Sequence, residues 1–148
     1  MLSFIGDYTC KLDSKGRAVV PAVFRKEMQA IEETSFVLRR NIFDECIDLY
    51  PKGEWLNLIA GLRSKLSQFN REQSRFLREF LRGVLEVELD GNGRILIPHK
   101  MLDDIGIAGE EIVMVGQDSK IEIWGKIKYG ESTMDTDEFV LLTTQIGL

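Results

Sequence analysis

The sequence is poor in the side chains that bind transition metals, with one histidine and two cysteines. His99 follows a proline and has no second histidine or cysteine at ligand spacing beside it. Cys10 and Cys46 lie in alternating, strand-like segments, and nothing else indicates an oxidising compartment. The sequence therefore predicts no metal site and no cofactor, and both thiols are expected to be free and packed.

Long apolar runs and catalytic fingerprints are also absent. No run approaches the length of about 18 residues that spans a bilayer, and the N-terminus lacks a basic region followed by a long apolar stretch. No Gly-rich phosphate loop, nucleophile elbow or dinucleotide fingerprint is present. We therefore expect a cytoplasmic protein with no membrane partner, no small-molecule ligand and no enzymatic activity, folded as one compact unit.

The net charge of −5 hides a polarised distribution. Residues 1–84 carry 14 basic against 11 acidic side chains, whereas residues 85–148 carry 5 against 13. Binding to phosphates depends on where the basic groups cluster rather than on the total. The acidic balance therefore does not exclude nucleic acid as a partner.

The main positive feature is a repeat: LDSKGRAVVP begins at Leu12 and LDGNGRILIP begins at Leu89. Each copy starts with a strand of period two, turns through Asp-x-x-Gly and returns as a short apolar strand. A short helix and two more strands follow in both copies. Because residues 18–20 and 95–97 are apolar without alternation, we expect these returning strands to be central, with both faces covered.

Helical patterns fill the remaining parts of the chain. Pro21 and Pro98 are expected at the first position of a helix, where a missing N–H costs nothing. Residues 54–83 have apolar side chains at helical spacing and a basic exposed face, which predicts one helix ending at Gly83. The tail, residues 131–148, is acidic and then apolar, which favours docking on a neighbouring subunit.

Each turn carries an aspartate and, four residues later, an arginine: Asp13 with Arg17, and Asp90 with Arg94. One interpretation is structural, with the aspartate capping the turn and the arginine pairing with it. The other is that two-fold repetition holds two arginines on one surface, where they suit duplex DNA, because arginine binds guanine or phosphate bidentately. A catalytic pair of aspartates is disfavoured, since a nearby guanidinium removes the raised pKa that a general acid requires.

Together with GQDSKIEIWG at residues 116–125, these motifs resemble the MraZ family of bacterial transcriptional regulators over roughly residues 1–130. The resemblance implies a β-rich α+β fold. Its two pseudo-symmetric AbrB/MraZ-like swapped-hairpin halves would form one interlocked, barrel-like core. The expected units are a first half at residues 1–51, a connecting helical segment at 52–83, a second half at 84–130 and the tail at 131–148.

The resemblance also implies a function, which is sequence-specific DNA binding at the promoter of the protein's own division and cell-wall gene cluster. Binding would use short repeats in double-stranded DNA, with the protein assembled as a homo-oligomeric ring on the nucleoid. Because Gly91 and Asn92 stand where the first copy has Ser14 and Lys15, the two turns need not contact DNA equally. The residues expected to bind DNA are Arg17, Lys15, Arg94 and Asn92, and those expected to orient them are Asp13, Asp90, Gly16 and Gly93.

Three alternatives remain at this stage. The first is an AbrB-like antitoxin or interaction module, which predicts a disordered toxin-binding tail. The second is a ring-forming scaffold that does not bind DNA, in which Arg17 and Arg94 are internal ion-pair partners. The third is a small hydrolase built on Asp13 and Asp90.

Overall fold

The computed structural model describes residues 1–107 and 111–148, which form a mixed α+β fold of eight strands and six helices. The strands are β1 (Asp7–Lys11), β2 (Arg17–Val19), β3 (Ser35–Arg40), β4 (Ile47–Pro51), β5 (Leu85–Glu88), β6 (Arg94–Leu96), β7 (Glu111–Gln117) and β8 (Lys120–Gly125). The helices are α1 (Ala22–Ala30), α2 (Lys52–Lys65), α3 (Arg71–Phe80), α4 (His99–Asp104), α5 (Lys126–Glu131) and α6 (Thr136–Ile146). The order strand, turn, strand, helix, strand, strand predicted for each half is confirmed.

Six strands form one antiparallel sheet in the order β1-β7-β8-β4-β3-β5. Strands of the two halves alternate in it, because β1 pairs with β7 and β5 pairs with β3. At its centre Ile47 pairs with Ile123 and Leu49 with Ile121, and all four side chains are buried. The core is therefore shared by both halves, as predicted.

The sheet is open rather than closed into a barrel. Within residues 1–107 and 111–148 its two outer strands, β1 and β5, each pair with one neighbour only. The returning strands β2 and β6 form a separate two-stranded sheet, called here the ribbon. The prediction of a barrel-like core is thus not met by the strand pairing.

The ribbon also corrects the expectation that the returning strands are central. Ala18 and Ile95 are buried, but Val19 is 49% exposed and Leu96 is 50% exposed. Successive side chains of a strand point to opposite faces whatever their polarity. The run of apolar residues concealed this alternation, and only one face of the ribbon is covered.

One apolar core lies between the six-stranded sheet and a layer formed by the ribbon, α1 and α4. Phe24 and Met28 of α1 are fully buried in it, as is Ile105 after α4. Fully burying one such side chain contributes about 1.5–3 kcal/mol. Helices α1 and α4 begin directly after Pro21 and Pro98, which are the N-cap residues rather than the first helical ones.

The connecting segment forms two helices instead of the single helix predicted. Leu66 has extended backbone after α2, and the side chain of Asn70 accepts the N–H of Gln73 at 3.1 Å to begin α3. The second helix folds back, so that Phe80 stacks on Trp55 at 6.0 Å between ring centroids. These helices cover the face of the sheet opposite the main core.

The structure also describes the two cysteines, the apolarity of the helices and the position of His99. Cys10 and Cys46 are free thiols, half-buried and buried respectively. Among the helices of the described residues, none combines the length and the apolarity needed to cross a bilayer. His99 is exposed at the start of α4.

Candidate nucleic-acid interface

The first turn is held by the carboxylate of Asp13. Its Oδ1 accepts the backbone N–H of Lys15 at 2.9 Å and that of Arg17 at 2.8 Å. Its Oδ2 accepts the Nε–H of Arg17 at 2.7 Å. One carboxylate therefore fixes both the backbone of the turn and the plane of the guanidinium.

The second turn repeats this arrangement. Asp90 Oδ1 accepts the N–H of Asn92 and that of Arg94, both at 2.9 Å, and Oδ2 accepts Nε–H of Arg94 at 2.8 Å. Corresponding distances in the two turns thus agree to within 0.1 Å. The predicted pairs are both formed, and the two arginines are oriented alike.

Each turn is also fastened to the other half of the chain. Gly16 and Gly93 have φ of +87° and +74°, a backbone region that glycine adopts without strain. The carbonyl of Gly16 accepts the N–H of Ile97, and that of Gly93 accepts the N–H of Val20, both at 2.9 Å. The glycines therefore join the two turns to the two ends of the ribbon.

The outer face of the ribbon carries both arginines. Arg17 lies opposite Leu96, and Arg94 lies opposite Val19, in the antiparallel register. Because side chains alternate along a strand, these four residues point away from the core, while Ala18 and Ile95 point into it. The fold thus brings two arginines from distant parts of the sequence onto one small surface.

The guanidinium groups of Arg17 and Arg94 remain available for further bonds. Each donates its Nε–H to an aspartate, and within the described residues its Nη atoms donate no hydrogen bond. About a third of each arginine side chain is exposed. Lys15 and Asn92 are exposed at the tips of the turns.

A fifth basic or polar residue beside these turns, Arg25 of α1, was not predicted from the sequence. Its guanidinium packs against Gly93 of the second turn, and its Nε–H is donated to the carbonyl of Val20 at 2.9 Å. The equivalent position in the second half is Leu102. Aligning the two repeats beyond the proline would have revealed this asymmetry. It places a basic residue beside the second turn, which has Asn92 where the first turn has Lys15.

Two acidic neighbours of Arg94 in the sequence face elsewhere. Glu86 forms an ion pair with Lys52 at 3.0 Å, and Glu88 accepts hydrogen bonds from Thr34 and Ser35. Both are therefore engaged along the sheet, and Asp90 is the acidic group that contacts Arg94.

The two motif carboxyls are stabilised in the ionised form. The backbone N–H of Arg17 lowers the pKa of Asp13 to about 2, and the side chain of Arg17 and the N–H of Lys15 add to this effect against the opposing effect of desolvation. The corresponding groups around Arg94 lower the pKa of Asp90 in the same way. Carboxyls whose pKa is lowered are poor general acids at neutral pH, which disfavours a hydrolase built on them.

These pKa shifts predict how stability depends on pH. Because the folded pKa of Asp13 lies below its usual value of 3.8, the carboxylate stabilises the fold above about pH 3.8. That contribution should be lost as the pH falls towards 2. We expect carbon-detected NMR titration of Asp13 to give a midpoint near 2, and Asp13→Asn to remove this part of the acid sensitivity in urea denaturation. A midpoint at or above 3.8 would show that the turn is not held as described.

A separate polar cluster lies on the other face of the sheet. Cys46, Asp48 and Glu122 are close enough together to share a metal ion. However, the ammonium group of Lys120 contacts Asp48 at 2.7 Å and Glu122 at 3.3 Å. Burial raises the pKa of Cys46, so its thiol is protonated at neutral pH. The charge of Lys120 balances the charge of the two carboxylates beside it.

Comparison with known proteins gives a consistent result. The family model described as "MraZ protein, putative antitoxin-like" matches residues 3–79 and residues 80–138. A protein of Bacteroides thetaiotaomicron named Transcriptional regulator MraZ is 39% identical over 139 residues, which cover 94% of this chain and 88% of that protein. One of the same name from Christiangramia forsetii is 37% identical over 147 residues, covering 99% and 94%. The similarity therefore includes both turns and extends into the C-terminal tail.

Proposed function

The chain belongs to the MraZ family, and we propose that it is a transcriptional regulator that binds double-stranded DNA through the outer face of the ribbon. The observation that carries the proposal is the matched pair of arginines, each held by an aspartate on one exposed surface. Arginine held in a fixed plane can bind guanine O6 and N7 bidentately. The major groove of B-DNA admits a two-stranded β-ribbon, which is the element on which these side chains lie.

The residues around the ribbon suit contacts to the DNA backbone. Lys15 lies at the tip of the first turn and Arg25 beside the second, so both turns have a basic group next to their arginine. Such groups contact phosphates and position the protein, whereas base contacts provide specificity. Asn92 can donate to and accept from a base edge.

The proposed target is the promoter of the protein's own division and cell-wall gene cluster, read as short repeats by a ring of copies on the nucleoid. A single ribbon offers few contacts and the chain is acidic in total. Several copies on adjacent repeats raise the effective concentration of each further contact. Assembly therefore reconciles weak individual sites with specific binding.

We further infer that the two halves are pseudo-symmetric swapped hairpins of the AbrB type. The inference is supported by the strand order, which reads alike from both edges when β1, β3 and β4 are exchanged with β5, β7 and β8. Such symmetry would relate Arg17 to Arg94 across the ribbon.

The competing functions make different predictions for DNA. A scaffold that does not bind DNA, or an antitoxin that contacts it incidentally, should not distinguish the upstream region of its own gene from shuffled DNA. A gel shift with these two DNAs at equal salt therefore tests the proposal. Retarded migration of the upstream DNA alone supports it, and equal migration of both contradicts it.

Replacement of the first turn's lysine should affect all sequences alike. We expect Lys15→Ala to weaken binding to upstream and shuffled DNA by a similar factor, because a phosphate contact carries no sequence information. The plot of log affinity against log salt concentration should become shallower, with the magnitude of its slope smaller by about one per bound copy. Lys52→Ala is the matched control, since this partly exposed lysine pairs with Glu86 of β5 rather than lying on the ribbon. A loss confined to upstream DNA would instead assign Lys15 to base recognition.

A further inference from the structure

A cavity of about 520 Å³ lies between β3, α4 and the segment that joins α3 to β5. This volume falls in the range of about 300–1,000 Å³ that is usual for small-molecule sites. Apolar side chains of both halves of the chain line it, and they include Ile47, Phe80, Leu85, Met101 and Ile105. Ile47 and Ile105 are fully buried, so one side of the cavity is formed by the main core.

Arg39 of β3 brings a positive charge to this cavity, although the residue is only 8% exposed. Its Nε–H is donated to the carbonyl of Phe80 at 3.1 Å, and its Nη1 donates to the carbonyl of Arg40 at 2.5 Å. Its Cζ lies over the ring of Phe80, 3.9 Å from the centroid. These contacts fix the plane of the guanidinium.

The carboxylate that faces Arg39 across the sheet has another partner. Asp48 lies opposite Arg39 in the pairing of β3 with β4, where opposite charges stabilise a sheet. However, Asp48 forms its ion pair with Lys120 at 2.7 Å, and no carboxylate of the described residues pairs with Arg39. Burial lowers the pKa of the Arg39 guanidinium against the opposing charge of Asp48. A buried charge without a paired counter-ion is costly, and an anion from outside the chain would supply one.

The remaining N–H groups of Arg39 can be reached from outside. A guanidinium has five of them, and within residues 1–107 and 111–148 only two are donated. In the same part of the chain, every fully buried side-chain nitrogen has a hydrogen-bond partner. Nη2 of Arg39 has no partner there, and it is therefore accessible from a cavity.

The charges around Arg39 decide which cavity suits an anion. A smaller cavity of about 280 Å³ also borders Arg39, but its charged residues have an excess of one negative charge: Arg39 and Lys120, with Asp44, Asp48 and Glu122. The charged residues of the larger cavity have an excess of two positive charges: Arg39, Arg40, Arg82 and Lys100, with Glu79 and Asp104. The larger cavity is therefore the one that favours an anion.

We propose that the larger cavity binds a small organic acid, with the carboxylate on the remaining N–H groups of Arg39 and an apolar body against Ile47, Met101 and Ile105. A planar carboxylate matches the fork of a guanidinium. Apolar walls with a few placed polar groups are typical of small-molecule sites. The proposal does not rest on DNA binding.

Octanoate is the probe that tests it, because octanoate joins a carboxylate to an apolar chain. Octanamide has the same chain without the charge, and acetate has the charge without the chain. Methyl NMR spectra of the full chain, labelled at isoleucine and methionine, follow a titration below the micelle concentration of octanoate. We expect saturable shifts at Ile47, Met101 and Ile105 with octanoate, and little change with acetate.

Octanoate should bind about tenfold more tightly than octanamide, because a hydrogen bond to a charged group discriminates by at least that much. Ile59 is the internal control, since it lines a separate groove between α2 and α3 and should not shift. Equal affinity for octanoate and octanamide, shifts at Ile59 as large as those at Ile47, or no saturable shift would each overturn the proposal.

Replacement of the buried arginine locates the carboxylate. Arg39→Gln should lower the affinity for octanoate to that for octanamide, a loss of about tenfold. Arg82→Gln is the matched control at the same cavity. Its effect should stay below about twofold, because Arg82 is exposed and already pairs with Glu79 at 2.6 Å. Unchanged octanoate affinity in folded Arg39→Gln protein contradicts the proposed site.

A second variant leaves Arg39 intact and decides the matter if Arg39→Gln does not fold. Met101→Trp adds volume on the α4 side of the cavity, so the shifts of Ile47 and Ile105 with octanoate should be lost. Far-UV circular dichroism checks that each variant is folded. Octanoate binding of wild-type strength in folded Met101→Trp protein would place the ligand elsewhere and overturn the proposal.

Discussion

Replacement of Arg17 by alanine should abolish discrimination between upstream and shuffled DNA while changing the melting temperature little. A bidentate contact from arginine to guanine is worth about 1–3 kcal/mol of discrimination. The loss compounds over every copy engaged on adjacent repeats, so specific binding should disappear in an assembled protein. Affinities measured at one salt concentration for both proteins and both DNAs give the result directly.

Stability should be preserved for a structural reason. The Asp13–Arg17 ion pair is partly exposed, and exposed pairs contribute about 0–1 kcal/mol. The bonds from Asp13 to the backbone N–H groups of Lys15 and residue 17 do not involve the arginine side chain and remain in the variant. If the arginine were only an internal partner, the variant would instead keep its DNA discrimination.

Two further variants separate charge from geometry. Arg17→Lys keeps the charge but lacks the planar fork, so non-specific binding should remain while discrimination is lost. Arg40→Ala removes an exposed arginine outside the ribbon and should leave discrimination unchanged. Unchanged discrimination in a folded, assembled Arg17→Ala protein would contradict the assignment of this turn as the DNA-reading element.

Much of the fold could be predicted because the same pattern of residues occurs twice in the sequence. Each strand, turn and short helix of one half supported its counterpart in the other. The pairing of Ile47 with Ile123 and of Leu49 with Ile121 across the halves came from the structure. The error over the returning strands has a physical origin. Val19 and Leu96 are apolar although they point outward, so hydrophobic periodicity could not distinguish an exposed face from a buried one.

The broken connecting helix could have been found locally. Asn70 followed three residues later by Gln73 is a helix N-cap signature in the middle of the apolar pattern. Periodicity continued across this signal because α2 and α3 both place apolar residues, such as Ile59 and Leu77, in the groove between the two helices. Arg25 is a different case, since its position against Gly93 depends on how the two halves pack and lies outside the repeated motif.

The two turn glycines look alike in sequence, but their replacement by alanine should have unequal effects. A Cβ at Gly16 would lie 2.5 Å from the backbone oxygen of Ile97, whereas one at Gly93 would meet the end of the Arg25 side chain at 2.6 Å. A flexible side chain can move aside, but the backbone at Ile97 is fixed by its own bond to the carbonyl of Gly16.

We therefore expect Gly16→Ala to destabilise the protein by about 3 kcal/mol or more. About 1–2 kcal/mol comes from placing a Cβ in left-handed backbone, and the rest from the collision. Gly93→Ala should cost about 1–2 kcal/mol, close to the backbone term alone. Gly91→Ala is the control within the same turn, because a Cβ there meets nothing within 4 Å, and its effect should stay within about 0.5 kcal/mol.

Urea denaturation at one protein concentration measures all three variants, since assembly makes apparent stability depend on concentration. A larger loss for Gly93→Ala than for Gly16→Ala would contradict the described packing at Ile97. The same variants link the turn to the interface with DNA. Displacement of Arg25 in Gly93→Ala should weaken binding to all DNA sequences while most of the protein remains folded, because we propose that Arg25 contacts phosphates rather than bases.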